Sequence, residues 1–132
     1  MHHILYTRYT LLYFYDPDCS SCKEVTYFIT MSAIVSKTID NGILKILAFY
    51  PEKNPVLWKK HMKEIPDTWI NGYDKTGLVN DKQLYDLKAL PTLYLLDREK
   101  KVILKDVTIE VIIDYLTKNN SMVLTDDLDT IR

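Results

Sequence analysis

Hydrophobic positions along the chain form continuous runs that alternate with segments of helical spacing. Residues 9–15 and 43–50 are nearly unbroken apolar runs, rich in aromatic and aliphatic side chains, and they predict two buried strands. Residues 92–96 predict a third strand, and a polar turn joins it to a fourth strand at residues 101–105. The last two strands are therefore expected to form a β-hairpin.

Apolar residues recur at helical spacing between and after these strands. The first such segment opens at Cys22 and places Phe28 and Ile29 on a wide apolar face. The second spaces Trp58 and Met62 so that both are predicted to lie in the core. Strands separated by helices call for parallel pairing, so the predicted fold is α/β, with a mixed central β-sheet flanked by helices on both faces. The predicted helices span residues 22–36, 55–65, 81–88 and 109–118.

Length and charge predict a single domain and argue against several classes of partner. The chain has 132 residues, and we expect one domain with its core at residues 9–118 and a polar, acidic tail at 119–132. Its net charge is -1 and no basic stripe is present, which argues against nucleic-acid binding. No apolar run approaches the roughly 20 residues that span a bilayer. No signal peptide is visible, so we expect either a cytoplasmic protein or a segment downstream of a targeting sequence.

Both cysteines of the chain belong to one motif, Cys19-Ser20-Ser21-Cys22, which lies between a predicted strand and a predicted helix. A helix N-terminus presents free N–H groups and the positive end of the helix dipole, and both stabilise a thiolate. We therefore predict a redox-active dithiol. Cys19 is expected to be exposed and to attack a disulfide, and the more buried Cys22 is expected to resolve the mixed disulfide.

Four residues around the sulfurs are candidate modulators of the thiolate. Ser20 and Ser21 offer hydroxyl donors without a charge. Asp16 and Asp18 bring negative charge within three residues of Cys19, which disfavours a thiolate. A modestly stabilised thiolate corresponds to a low reduction potential, so the sequence predicts a reductant with a potential below roughly -180 mV.

Other interpretations of the cysteine pair stay open. The pair could supply half of a zinc site, but zinc takes about four ligands. Only His2, His3 and His61 could complete that set, and none has the spacing of a ligand pair. The pair could also be an inert structural disulfide or a decayed site. A redox role needs neither a metal nor an organic cofactor, and none is predicted.

Two segments resemble landmarks of the thioredoxin-like family. Residues 12–22, Leu-Tyr-Phe-Tyr-Asp-Pro-Asp-Cys-Ser-Ser-Cys, are similar to the active-site region of these proteins. Residues 87–97, Leu-Lys-Ala-Leu-Pro-Thr-Leu-Tyr-Leu-Leu-Asp, are similar to the segment in which a helix leads to a Pro-Thr pair and a strand. The resemblance implies a thioredoxin fold with an insertion at residues 49–74, between the second strand and the cis-Pro strand.

The same resemblance implies where a substrate binds. It places a cis Leu90–Pro91 bond beside Cys19, where the backbone of these two residues pairs with a substrate strand. The chain departs from the family at Asp18, where thioredoxins usually carry Trp, and at Tyr13, where many carry a buried acid.

Within the family, the chain is similar to bacterial envelope proteins of the thiol:disulfide interchange and cytochrome-maturation type. This similarity implies a monomer that reduces protein disulfides in the bacterial periplasm or cell envelope. The implied partners are a cysteine-containing protein substrate and an electron-donor redox protein. The alternative is a redox-inactive thioredoxin-fold module that binds polypeptides.

Overall fold

The structure of the chain is a computed structural model that describes residues 7–52, 54–73 and 90–119. The predicted helix at residues 81–88 lies outside the described residues, as do His2, His3 and residues 120–132 of the predicted tail. Among the helices that are described, none has the length and apolar character needed to cross a membrane.

One mixed sheet runs through the described residues. Its strands are β1 (Tyr9–Phe14), β2 (Leu44–Tyr50), β3 (Ile70–Tyr73), β4 (Thr92–Leu96) and β5 (Val102–Lys105). They lie in the order β3-β2-β1-β4-β5. β1 pairs in parallel with β2, and β2 in parallel with β3, whereas β4 is antiparallel to both β1 and β5. The predicted mixed sheet and hairpin are confirmed.

The edge strand β3 lies within the predicted insertion, where the sequence indicates mostly loop with at most a short strand at residues 69–70. Its residues include Asn71 and Gly72, which are poor strand formers, yet they pair with Ala48 and Phe49 of β2. The preceding Trp69 is buried against the core and meets the ring of Tyr13 edge-on at 6.2 Å between centroids. The segment leading into β3 is thus packed on the core, and β3 adds a parallel strand to the edge of the sheet.

The described helices are α1 (Ser20–Met31), α2 (Ala33–Asp40), α3 (Pro55–His61), which continues into a 3₁₀ turn at Met62–Glu64, and α4 (Ile109–Asn119). The prediction of one helix over residues 22–36 is wrong at Ser32, which ends α1 and caps α2. The Ser32 hydroxyl accepts a hydrogen bond from Val35 N–H at 3.2 Å, and Ser favours such a cap over a helix interior. Phe28, predicted to face the core, is 56% exposed because the buried stripe of α1 passes through Ile29, about 100° away around the helix.

Alternation along the strands gives the sheet two buried faces. On one face Leu11 and Ile46 pack against Ile29, Val35 and residues of α4. The other face carries a second apolar cluster. The strand register thus fixes which side chains meet the helices and leaves the strand ends free to position a site. The second cluster consists of Leu12, Phe14, Tyr94 and Leu96.

Candidate active site

Cys19 occupies the N-cap of α1, so its sulfur lies at the positive end of that helix. Cys19 Sγ accepts a hydrogen bond from Cys22 N–H at 3.2 Å. The turn before it is closed by the Cys19 N–H, which donates to Asp16 O at 3.0 Å. Cys19 is half-buried and carries a free thiol. The chain therefore presents one sulfur at the place where backbone N–H groups favour a thiolate.

Cys22 lies one helical turn further on and is 2% exposed. Burial, followed by contact with Cys19, raises the pKa of the Cys22 thiol to about 12. The Asp16 N–H opposes this shift because it donates to Cys22 Sγ at 3.4 Å. Cys22 is thus more buried than Cys19, as predicted, and the raised pKa favours its thiol form.

The Pro-bearing segment meets this dithiol. Antiparallel pairing of β1 with β4 sets Phe14 opposite Thr92, which brings the residues before β4 to the end of β1 where the cysteine loop begins. The Leu90–Pro91 peptide bond is cis. Leu90 O lies 4.0 Å from Cys19 Sγ. The structure therefore brings the Leu90 carbonyl, which precedes the cis bond, close to the sulfur of Cys19.

The four predicted thiolate modulators occupy two kinds of position. Ser20 and Ser21 are exposed in the first turn of α1. Asp16 Oδ1 accepts a hydrogen bond from Asp18 N–H at 2.9 Å, which shapes the loop before the cysteines. The Asp18 carboxylate is 64% exposed and lies against His61, outside the cysteine motif. Their influence on the thiolate stays a prediction.

The hydroxyl of Tyr13 anchors the start of α1 to the sheet. Its hydroxyl donates to Cys22 O at 2.6 Å and lies 2.9 Å from Thr26 Oγ1. Burial raises the pKa of Tyr13 well above its ordinary value, so the hydroxyl keeps its proton. Tyr13 therefore ties β1 to the start of α1.

We expect Tyr13→Phe to lower the free energy of unfolding by about 1–2 kcal/mol, because a buried hydroxyl with two partners is removed. Urea unfolding followed by fluorescence measures the change. Tyr27→Phe is the matched control, since Tyr27 lies on the same helix as Thr26 and is 60% exposed. Its effect is expected to stay within about 0.5 kcal/mol. Equal losses in both variants would contradict the anchoring role.

Within the insertion, the amide of Asn71 links β3 to the end of β1 and to α3. Asn71 Oδ1 accepts hydrogen bonds from Tyr15 O–H at 2.7 Å and from Trp58 Nε1–H at 3.2 Å. Trp58 is partly buried and packs against the core as predicted. The same prediction is wrong for Met62, which is 43% exposed because the chain leaves α3 for a 3₁₀ turn at that residue.

His61, at the end of α3, joins the insertion to the cysteine loop. His61 Nδ1 lies 2.6 Å from Glu64 Oε2, and Nε2 lies 3.2 Å from Asp18 Oδ1. The side chain is only 12% exposed. Sequence reasoning considered His61 only as a zinc ligand and missed this position. Across the described ranges, no group of three or more His, Cys, Asp or Glu side chains is arranged to hold a metal ion.

A cavity of about 410 Å³ opens between α1 and the insertion. Cys22, His61 and Glu64 all line it. Its other lining residues combine apolar side chains with threonines, lysines and an aspartate. The full set is Tyr15, Asp16, Pro17, Cys22, Lys23, Thr26, Tyr27, Thr30, His61, Lys63, Glu64, Ile65 and Pro66.

Three features define a thioredoxin-like domain. They are a mixed β-sheet, a Cys-x-x-Cys motif at a helix N-terminus, and a cis-Pro bond that precedes the strand beside that motif. Solved structures agree. A thioredoxin-like protein from Bacteroides caccae is 44% identical, with a TM-score of 0.83 over 87% of this chain, and the chain spans 42% of that protein. A conserved protein of unknown function from Bacteroides fragilis is 43% identical, with a TM-score of 0.81 over 86% of this chain and 83% of that one. The chain belongs to the thioredoxin-like family, and the predicted fold is confirmed.

More distant structures share the fold. The thioredoxin domain of a thiol-disulfide oxidoreductase from Bacteroides vulgatus is 21% identical, with a TM-score of 0.70 over 87% of this chain and 81% of that one. A scan of protein-family models and a search of the curated proteins each found no match. The Cys19–Cys22 pair at this place in the fold supports a thiol–disulfide redox role in general.

Proposed function

We propose that the domain is a thiol-disulfide oxidoreductase that reduces protein disulfides through Cys19 and Cys22. The observation that carries the proposal is the N-cap position of Cys19 Sγ, which accepts the Cys22 N–H and lies 4.0 Å from Leu90 O. Cys19 attacks a substrate disulfide, and Cys22 then attacks the mixed disulfide and releases the reduced substrate. An electron-donor redox protein resets the pair.

Leu90 and Pro91 are proposed as the substrate-binding segment. Because Leu90 O lies beside the attacking sulfur, a substrate strand that pairs with this backbone brings its disulfide to Cys19. Main-chain recognition suits a protein substrate, since it is independent of most side chains. The domain needs no metal or organic cofactor for this chemistry, and it is proposed to act as a monomer.

The direction of exchange is proposed to be reduction. Ser20 and Ser21 add no positive charge between the sulfurs, and the acidic Asp16 and Asp18 precede them. We expect equilibration with a glutathione redox buffer to give a potential below roughly -180 mV. A value near roughly -120 mV, the level of a strong oxidant, would reverse the assigned direction.

The solved relatives support a cellular location for this activity. Thiol-disulfide proteins of Bacteroides share the fold, and one solved relative is a thiol:disulfide interchange protein. We propose that the domain works in the periplasm or cell envelope, where protein disulfides form and need reduction. Detection of this chain with specific antibodies in separated cell fractions tests the location.

Reduction of insulin and of glutathione disulfide tests the activity itself. The wild type is expected to reduce both substrates, and Cys19→Ala is expected to reduce neither. If the wild type binds unfolded polypeptide but reduces no disulfide at any pH, the redox-inactive binding module is the correct function.

A further inference from the structure

The loop that joins β1 to α1 is organised around one residue, Asp16. Its carbonyl oxygen accepts the Cys19 N–H at 3.0 Å, and its Oδ1 accepts the Asp18 N–H at 2.9 Å. The first bond closes a four-residue turn and the second closes an Asx turn within it, with Pro17 at the position where its fixed φ suits a turn. The carboxylate of Asp16 therefore stabilises one conformation of this loop.

The backbone N–H of the same residue reaches the second sulfur. The Tyr15 N–H still bonds to the sheet, at Phe49 O and 3.1 Å, whereas the Asp16 N–H that follows donates to Cys22 Sγ at 3.4 Å. Cys22 otherwise packs within the apolar core. Asp16 thus bonds to both cysteines, to Cys19 through its carbonyl and to Cys22 through its N–H, and it links the position of one to that of the other.

The N–H and the carboxylate of Asp16 act on Cys22 with opposite signs. Burial and then the contact with Cys19 raise the pKa of the Cys22 thiol. The Asp16 N–H lowers this pKa, and the Asp16 charge raises it by less than the N–H lowers it. In a mixed disulfide Cys19 carries no charge, so burial remains and the Asp16 N–H opposes it. That hydrogen bond favours the thiolate, which is the form that attacks.

We propose that Asp16 is a positioning residue for the resolving step, because its carboxylate holds the turn that directs its own N–H to Cys22 Sγ. The proposal rests on the proposed function. In this step Cys22 loses its proton, its thiolate attacks Cys19 Sγ, the Cys19–Cys22 disulfide forms, and the bond between Cys19 and the substrate sulfur breaks. The dithiol gives two electrons to the substrate, whose leaving thiolate takes up a proton from water. The carboxylate contributes geometry, and its charge is not required.

Three substitutions of Asp16 separate geometry from charge. Asp16→Asn keeps an acceptor oxygen at the same distance from the backbone and removes the charge, so the Asx turn remains. Asp16→Glu keeps the charge but moves the oxygens one methylene away from the turn. Asp16→Ala removes both. Geometry predicts that Asn behaves like the wild type and Glu behaves like Ala, whereas a charge effect predicts the opposite pairing.

Stopped-flow reaction of the reduced protein with 5,5′-dithiobis(2-nitrobenzoate) measures the resolving step. Attack by Cys19 releases one coloured thiolate, and resolution by Cys22 releases the second. The second step is intramolecular, so its rate is independent of how the anionic probe approaches the protein. If the wild type releases no thiolate in the first phase, the proposed function fails. If both phases occur, the proposed function stands and the variants test Asp16.

We expect Asp16→Ala and Asp16→Glu to keep the first phase and to slow the second about tenfold, the lower range for loss of a hydrogen bond to a charged group. Asp16→Asn should stay within about twofold of the wild type in both phases. Retention of the first phase also shows that each variant is folded around Cys19.

Asp97 offers a matched control for the loss of such a turn. Its Oδ1 accepts the N–H groups of Glu99 and Lys101 at 2.8 and 2.9 Å. Asp97 follows the end of β4 that lies opposite Thr10, so it is at the far end of β1 from the cysteines. Asp97→Ala should leave both phases unchanged.

Three results would overturn the proposal. The first is a wild-type second phase in Asp16→Glu together with a slowed one in Asp16→Asn, which would assign the effect to charge. The second is an unchanged second phase in all three variants. The third is an equal slowing of both phases in Asp16→Ala, which would mean that the turn supports the whole loop and not the resolving sulfur.

Discussion

Replacing Cys22 with Ser is expected to convert the domain from a catalyst of disulfide exchange into a covalent trap. Cys19 remains at the helix N-cap beside Leu90 O and still attacks, but no thiol remains to release the substrate. A mixed disulfide on Cys19 should accumulate to nearly one equivalent. Replacing Cys19 with Ser should reduce both exchange and trapping to the background rate. Intact-mass spectrometry after exposure to glutathione disulfide measures the adduct in both variants.

Two controls separate the chemistry from effects on folding. Cys22→Ala removes the same thiol without placing a hydroxyl in a site that is 2% exposed, and it should trap substrate as Cys22→Ser does. Ser21→Ala changes an exposed residue between the sulfurs and should neither trap substrate nor lose activity. Equal trapping by the Cys19 and Cys22 variants would mean that the two sulfurs do not have distinct roles.

The hydrophobic pattern was sufficient to predict the strands because burial on both faces of a strand leaves a continuous apolar run. Residues 9–15 and 43–50 follow this rule, and β1 and β2 lie within those ranges. The pattern failed at two places. Ser32 interrupts the apolar stripe of α1 with a cap, and β3 pairs with β2 although Asn71 and Gly72 are poor strand formers.

The dithiol and the Pro-bearing segment were predictable because local signals mark both. A strand pattern, turn residues and a helix pattern flank Cys19, and a Pro-Thr pair marks the start of β4. His61 carries no such signal. Its contact with Asp18 depends on how the insertion docks, which Asn71 determines by binding Tyr15 and Trp58 at once. A contact set by tertiary packing between distant segments leaves no periodicity in the sequence.

The reduced protein is expected to lose stability as the pH rises from about 9 to about 10.5, and Cys22 should account for much of the loss. Burial raises the pKa of this thiol from its ordinary value of 9.0 to about 12 in the folded chain. Above pH 9 the unfolded chain therefore releases the proton that the folded chain retains, and unfolding gains about 1.4 kcal/mol for each further pH unit. Below pH 9 the Cys22 thiol makes its full contribution to the free energy of unfolding. By pH 10.5 up to roughly 2 kcal/mol of that contribution is lost.

Comparison with reduced Cys22→Ala isolates the thiol from other alkaline titrations. Burial also raises the pKa of Tyr13 and raises the pKa of Tyr15 to about 12, so both variants lose stability from these rings in the same direction. Urea unfolding at several pH values in the presence of a reductant should therefore show the wild type converging on Cys22→Ala as the pH rises. Parallel curves from pH 8 to pH 10.5 would show that Cys22 ionises equally in the folded and unfolded chains.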